Sequence, residues 1–259
     1  METLAALLLA TFVAGYFVLA GADIGLGMLL PLLGRGRAER GSVLAAGIGP
    51  LFFANEVWLV AAAGVFAGCF PALEGELFGG LLPVLVPLLA GWLLRDAGLW
   101  WRRVSAAPVL DALVVAGSWL LAGSWGWLLA SLLVGGEQPR PAPVVTGALT
   151  AAVVALLFLA HGLSLSVRRL VGEPLLRARQ LAGSRTDAAS RLLTPAVMAA
   201  LPVLAGARLP LTEHAASDTA LLLQLPVSCV ALPLLLAAQW WLGRTARTTA
   251  HHNHHPGES

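Results

Sequence analysis

Apolar runs of membrane-spanning length recur along this chain, and they leave few folds open. Stretches near residues 4–32, 50–70, 77–99, 109–134, 144–167, 189–206 and 219–242 are apolar over most of their length. About 20 such residues cross a bilayer as a helix. Inside lipid every backbone N–H and C=O must be satisfied by the protein itself, so runs of this length are helices. The sequence therefore predicts an all-α polytopic membrane bundle of about seven transmembrane helices. Composition agrees: 12% of residues are charged, against about a quarter in an ordinary soluble domain. The first run is longer than a bilayer needs, which predicts tilt or an overrun past the interface. It lacks a basic n-region and continues into Asp23 and its glycines, so it reads as a span and not as a cleavable leader. The sixth run is the weakest, being short and carrying Pro195 and Pro202. Residues 1–248 read as one transmembrane helical domain, and 249–259 as a His-rich, disordered tail.

Arginine placement predicts the orientation. There is no lysine, so arginine alone carries the signal. Arg35, Arg37 and Arg40 follow the first run; Arg95, Arg102 and Arg103 the third; Arg168, Arg169, Arg177, Arg179, Arg185 and Arg191 the fifth; Arg244 and Arg247 the seventh. In a seven-span arrangement only Arg140 and Arg208 fall on the other side. Loops rich in arginine stay cytoplasmic, which puts the N-terminus outside and the C-terminus in the cytoplasm. The small net positive charge is thus a topology signal, with no nucleic-acid patch behind it.

Against this apolar background a few polar groups stand out. Asp23 lies in Gly-Ala-Asp-Ile-Gly-Leu-Gly within the first run, and Glu56 near the head of the second. A charge at that depth costs at least about 2.5–3.5 kcal/mol, and such residues usually face the protein interior or a water-filled path. Asp111 lies near the inner start of the fourth run and His161 in the fifth. All four fall in the cytoplasmic half of the predicted topology and resemble a proton entry route. The competing reading makes each a hydrogen-bonding strut between helices. That reading is favoured for Asp111 near the interface, is open for His161, and is the weaker one for Asp23 and Glu56. Gly21 and Gly25, four apart, let two helices approach closely. Asn55 and Trp58 flank Glu56 as packing partners, although membrane tryptophans such as Trp58 and Trp92 commonly anchor at the lipid interface. Trp100 and Trp101 beside Arg102 and Arg103 fit an interfacial belt.

Other chemistries find little support. The sequence contains no Walker loop, no dinucleotide glycine fingerprint after a strand and no HExxH. Cys69 and Cys229 have no metal-ligand spacing and read as buried, inert thiols. His251, His252, His254 and His255 form a weak metal-binding tail at most. A haem held by two side chains of this chain is not expected, because His161 is the only imidazole inside a predicted span.

Several motifs match one family. Gly21-Ala22-Asp23-Ile24-Gly25-Leu26-Gly27-Met28-Leu29 resembles the Gly-Phe-Asp-Leu-Gly-Val-Gly-Met-Leu stretch of subunit II of cytochrome bd quinol oxidases. Leu33-Gly34-Arg35 and Ala38-Glu39-Arg40 resemble its following turn. Gly49-Pro50 with Asn55-Glu56-Val57-Trp58-Leu59 resembles its Gly-Pro-Val-Trp-Asp-Gly-Asn-Glu-Val-Trp-Leu. Ala160-His161-Gly162, Arg168, and Gly172-Glu173 leading to Arg177 resemble its fifth span and exit; Leu211-Thr212, Ala215-Ala216-Ser217 and Gln239-Trp240-Trp241 resemble the region of its last span. The order is collinear along most of the chain.

The resemblance implies a role in aerobic respiration. In that family subunit II carries no haem. It packs against a subunit I that holds haem b, haem d and the quinol site, stabilises it, and contributes to proton uptake from the cytoplasm. The complex oxidises quinol and reduces oxygen to water in the plasma membrane of a prokaryote, and small single-span subunits can join it. The isolated subunit II would not be catalytic. The intramembrane aspartate of the first motif maps onto Asp23. Two departures matter. Phe53 stands where the family has a carboxylate proposed for proton transfer, and two of the family's usual nine spans are missing after Arg191. A small proton-coupled transporter, or a bd-like scaffold that has lost proton transfer, are the alternatives.

Overall fold

The computed structural model describes residues 1–49, 52–105, 107–135, 138–183 and 188–252. Pro50, Arg185, His254 and His255 lie outside the described residues. The described chain is helical throughout: α1 (Glu2–Leu33), α2 (Arg37–Gly47), α3 (Phe52–Cys69), α4 (Pro71–Trp101), α5 (Pro108–Val134), α6 (Val144–Arg169), α7 (Gly172–Ala182), α8 (Ala188–Gly206) and α9 (Asp218–His252). Six of these are long and apolar enough to cross a membrane, namely α1, α3, α4, α5, α6 and the Asp218–Leu242 part of α9. A shorter apolar helix, Leu192–Gly206, stands at the expected sixth run. This is the all-α, roughly seven-span bundle that the apolar runs predict.

Local chemistry sets the helix boundaries. Pro71 and Pro108 occupy the first turns of α4 and α5, where a missing N–H costs nothing because that N–H has no helical partner. Gly135 ends α5 with φ +66°, its N–H returning to the Ser131 carbonyl. Ser131 Oγ in turn accepts the Ala142 N–H at 2.9 Å, which fixes the approach to α6.

α1 is the central post. It packs against α2, α3, α5, α6, α7, α8 and α9, and from Ala20 to Leu30 every residue is buried. Water does not drive helices together within lipid, so close packing and hydrogen bonds must do so. The closest crossing is glycine on glycine. A Cβ on Gly25 would run into the Phe158 carbonyl, and one on Gly162 into the Gly25 backbone, so α1 and α6 touch main chain to main chain. Toward the N-terminal half of α1 the filling is aromatic: Phe17 lies edge-on to Trp125 at 4.9 Å and Phe12 to Trp58 at 6.0 Å.

One end of the bundle is tied by guanidiniums. The last carbonyls of a helix have no partners within it and carry partial negative charge. Arg177 donates to the Leu33 carbonyl at 2.9 Å and Arg40 Nε to the Gly34 carbonyl at 3.0 Å, at the end of α1. Arg169 serves the Gly47 carbonyl at the end of α2 at 2.7 Å. The short helices α2 and α7 are thereby fastened across the ends of the long ones.

Candidate functional site

The polar residues singled out in the sequence divide into three places. Asp23, on the fully buried stretch of α1, is 2% exposed. Its Oδ2 accepts the Asn55 Nδ2 amide at 2.5 Å. The same Asn55 amide reaches the Leu19 carbonyl at 3.4 Å, and Asn55 Oδ1 accepts Gln239 Nε2 from α9 at 3.0 Å. One side-chain line thus joins α1, α3 and α9.

Glu56, the next residue along α3, faces α4 instead. Successive helical residues point in different directions, so neighbours in sequence serve different neighbours in space. Glu56 Oε2 accepts the Trp92 indole N–H at 2.8 Å, and Oε1 lies 3.4 Å from Arg95 Nη1. Arg95 also binds Asp96 Oδ1 at 3.0 Å and stands over the Phe52 ring at 5.3 Å. The guanidinium is wholly buried, and among the described residues its Nε and Nη2 have no hydrogen-bond partner. A buried guanidinium with open N–H groups beside two carboxylates is a strongly polar centre inside an apolar bundle.

His161 occupies a second place. It is 2% exposed, and its Nε2 lies 2.8 Å from the Val18 carbonyl across the α1–α6 crossing. Its Nδ1 is buried without a partner among the described residues. Among the described residues no hydrogen bond links it to Asp23, Glu56 or Asp111. Asp111 is in a third place, at the arginine-rich end, where it is held by Arg102 and by Arg40 at 3.5 Å. Gly21 lies against Met198 of α8 and Phe158 of α6, and Gly25 at the α6 crossing.

Four readings from the sequence change here. Cys69 is buried as expected, but Cys229 is exposed on α9. Arg95 does not follow a span as a topology marker. It lies within α4, because that helix runs on to Trp101. Trp58 is 4% exposed and packs on Phe12 and α1, so it is no lipid-interface anchor. Trp92 is likewise turned inward, toward Glu56. Gln239 was legible only as part of an aromatic motif; its bond to Asn55 spans 184 residues of sequence. The Arg95-Asp96 doublet inside an apolar run was the signal for a second buried charge cluster. Among the described residues no group of three or more His, Cys, Asp or Glu is placed to hold a metal ion.

Comparison with known proteins agrees with the motifs. A family model described as cytochrome bd terminal oxidase subunit II matches residues 1–205. A Bacillus subtilis (strain 168) protein named cytochrome bd ubiquinol oxidase subunit 2 is 31% identical over 191 residues, which are 68% of this chain and 56% of that protein. The Escherichia coli (strain K12) cytochrome bd-I ubiquinol oxidase subunit 2 is 32% identical over 96 residues, 37% of this chain and 25% of that protein. The matched stretch therefore spans little more than half of the first relative and a quarter of the second. With six apolar helices of spanning length, and with the family match extending from α1 almost to the end of α8, the chain is a multi-pass membrane protein that belongs to the cytochrome bd terminal oxidase subunit II family.

Proposed function

We propose that this chain is the non-haem subunit of a cytochrome bd-type quinol oxidase in a prokaryotic plasma membrane. In this reading it stabilises a haem-bearing subunit I and helps bring protons from the cytoplasm to the site where oxygen is reduced to water. Quinol is the substrate of the complex, and this chain alone is not catalytic. The N-terminus faces outward and the arginine-rich end faces the cytoplasm, as the arginine distribution favours. The observation that carries the reading is the pair of intramembrane carboxylates, Asp23 held by Asn55 and Glu56 held by Trp92 and Arg95. Carboxylates are retained inside an apolar bundle where function or helix pairing requires them.

The family implies haem in the complex, and the residues described here do not fit it. Porphyrin iron needs a ligating side chain, commonly a His, that faces a slot wide enough for the macrocycle. The His161 ring has its Nε2 on the Val18 carbonyl, and the Gly25–Gly162 main-chain contact beside it leaves no such slot. In this reading haem b and haem d belong to subunit I.

What these residues can do is hold and pass protons. Asp23 and Glu56 are the groups on the path in this proposal, with Asp111 and His161 as candidates nearer its ends. Arg95 positions Glu56 and keeps it desolvated but compensated. One observation favours a second reading, a scaffold without proton transfer. Phe53 is stacked edge-on against Trp100 at 5.4 Å, and a phenyl ring carries no proton.

The two readings separate on Asp23→Asn. This change keeps an oxygen acceptor for Asn55 and removes the ionisable proton. Quinol-driven oxygen uptake of the complex should fall at least about tenfold, with haem content unchanged. Unchanged uptake at unchanged haem content would leave Asp23 as a strut and favour the scaffold.

A further inference from the structure

A cavity of about 380 Å³ opens at the arginine-rich end, between α2, the start of α3 and the end of α4. Leu44, Ile48, Phe52 and Leu99 give it an apolar wall; Trp100, Arg102 and Arg103 form its polar side. The charges around it are unbalanced. Arg102 donates to the Arg37 carbonyl at 3.1 Å and shares Asp111 with Arg40. Glu39, the carboxylate of α2, is turned to Arg177. Among the described residues Arg103 makes no ion pair: its guanidinium lies over the Phe53 and Trp100 rings at 5.6 and 5.3 Å. Arg40 and Arg102 therefore share the one carboxylate of Asp111, while Arg37 and Arg103 make no ion pair among the described residues. Burial, then the charges of Arg40 and Arg37, press Arg102 below the usual guanidinium range. Such a corner favours an added anion.

We infer that this cavity binds one anionic phospholipid, its phosphate against Arg102 and Arg103 and its acyl chain along the Leu44–Ile48–Phe52 wall. Basic pockets at helix ends on the cytoplasmic side recognise acidic headgroups in this way. The apolar wall calls for a chain as well as a charge, which selects a lipid over a free phosphate. Trp100, 53% exposed beside the opening, is the type of side chain that sits at headgroup level. The inference stands apart from the oxidase reading, because lipid retention is measured without turnover.

The test places the full chain, with any subunits that accompany it, in nanodiscs of equal phosphatidylglycerol and phosphatidylcholine with identical acyl chains. Native mass spectrometry then counts the retained lipid. The wild type should keep phosphatidylglycerol in preference. Arg103→Gln should reduce that preference about fivefold, as expected for one surface arginine, and Arg103→Lys should retain most of it. Ala45→Trp, which fills the cavity from its exposed side, should abolish retention of the bound lipid. Arg208→Gln, at the far end of α8, should change nothing. Equal retention of the two lipids by the wild type would overturn the inference. So would an equal loss in Arg208→Gln, which would make the effect one of bulk charge. Displacement of the lipid by inorganic phosphate alone would also overturn it, because the acyl wall would then contribute nothing.

Discussion

Glu56 and Glu39 are each held by an arginine, yet they obey different rules. The Glu39–Arg177 contact is the shorter, at 2.5 Å against 3.4 Å for Glu56–Arg95. Glu39 keeps 34% of its side chain exposed, whereas Glu56 keeps 13% and its partner Arg95 only 1%. Water screens the first pair and replaces it readily when it breaks, so the better geometry contributes little. The second pair has no such substitute. Removing one of its members leaves a desolvated charge, and that penalty exceeds whatever the intact pair contributes. Depth, more than bond length, decides which arginine matters.

The largest test of this contrast is Arg95→Met. It leaves Glu56 and Asp96 without their cation and should cost about 3–5 kcal/mol, seen as loss of monodisperse protein or a steep drop in unfolding midpoint. Adding Glu56→Gln should recover a good part of that loss. A double variant no better than the single one would break the comparison, because it would mean that Arg95 acts through packing alone. Asp111→Asn comes next. Asp111 is buried but lies at the bundle end between Arg40 and Arg102, and losing its charge-assisted bonds should cost about 1.5–3 kcal/mol. A loss equal to that of Arg95→Met would erase the distinction of depth.

Glu39→Gln should have the smallest effect near neutral pH, and its signature is in acid. The hydrogen bond from Arg177, then that from the Arg35 N–H, hold the Glu39 carboxyl well below its ordinary value, at about 2. A carboxyl free in the unfolded chain titrates near about 4.3. The native value is the lower one, so the contribution of Glu39 is complete above the unfolded value and disappears as pH falls from there through about 2. Tryptophan-monitored melting should therefore show wild type losing more stability than Glu39→Gln between pH 7 and pH 3. Parallel losses in the two proteins would show that the clasp is not coupled to folding.

Much of this architecture was legible from the chain alone, for physical reasons. Apolar runs of bilayer length admit only helices, and Pro195 and Pro202 marked the sixth span as the short one. Asp23 and Glu56 stood out because charge is rare in such surroundings. Arg95 was misread for a related reason: hydropathy reports how long a run is, not which way a residue near its end points. The inward turn of Trp58 and Trp92 depends on neighbours from other helices, as does the link from Gln239 to Asn55. The tethering of α2 and α7 by Arg169 and Arg177 rests on carbonyls that every helix end exposes, so no sequence pattern marks them.

Asn55 has a consequence for any traffic through the bundle. It gives its amide hydrogen to Asp23 and takes one from Gln239. An amide neither gains nor releases a proton readily near neutral pH, so this line of hydrogen bonds ties three helices together without relaying a proton along itself. These side chains by themselves would not hand a proton from Asp23 on to α9. In the proposed route, an exit from Asp23 would therefore lie off this hydrogen-bonded line.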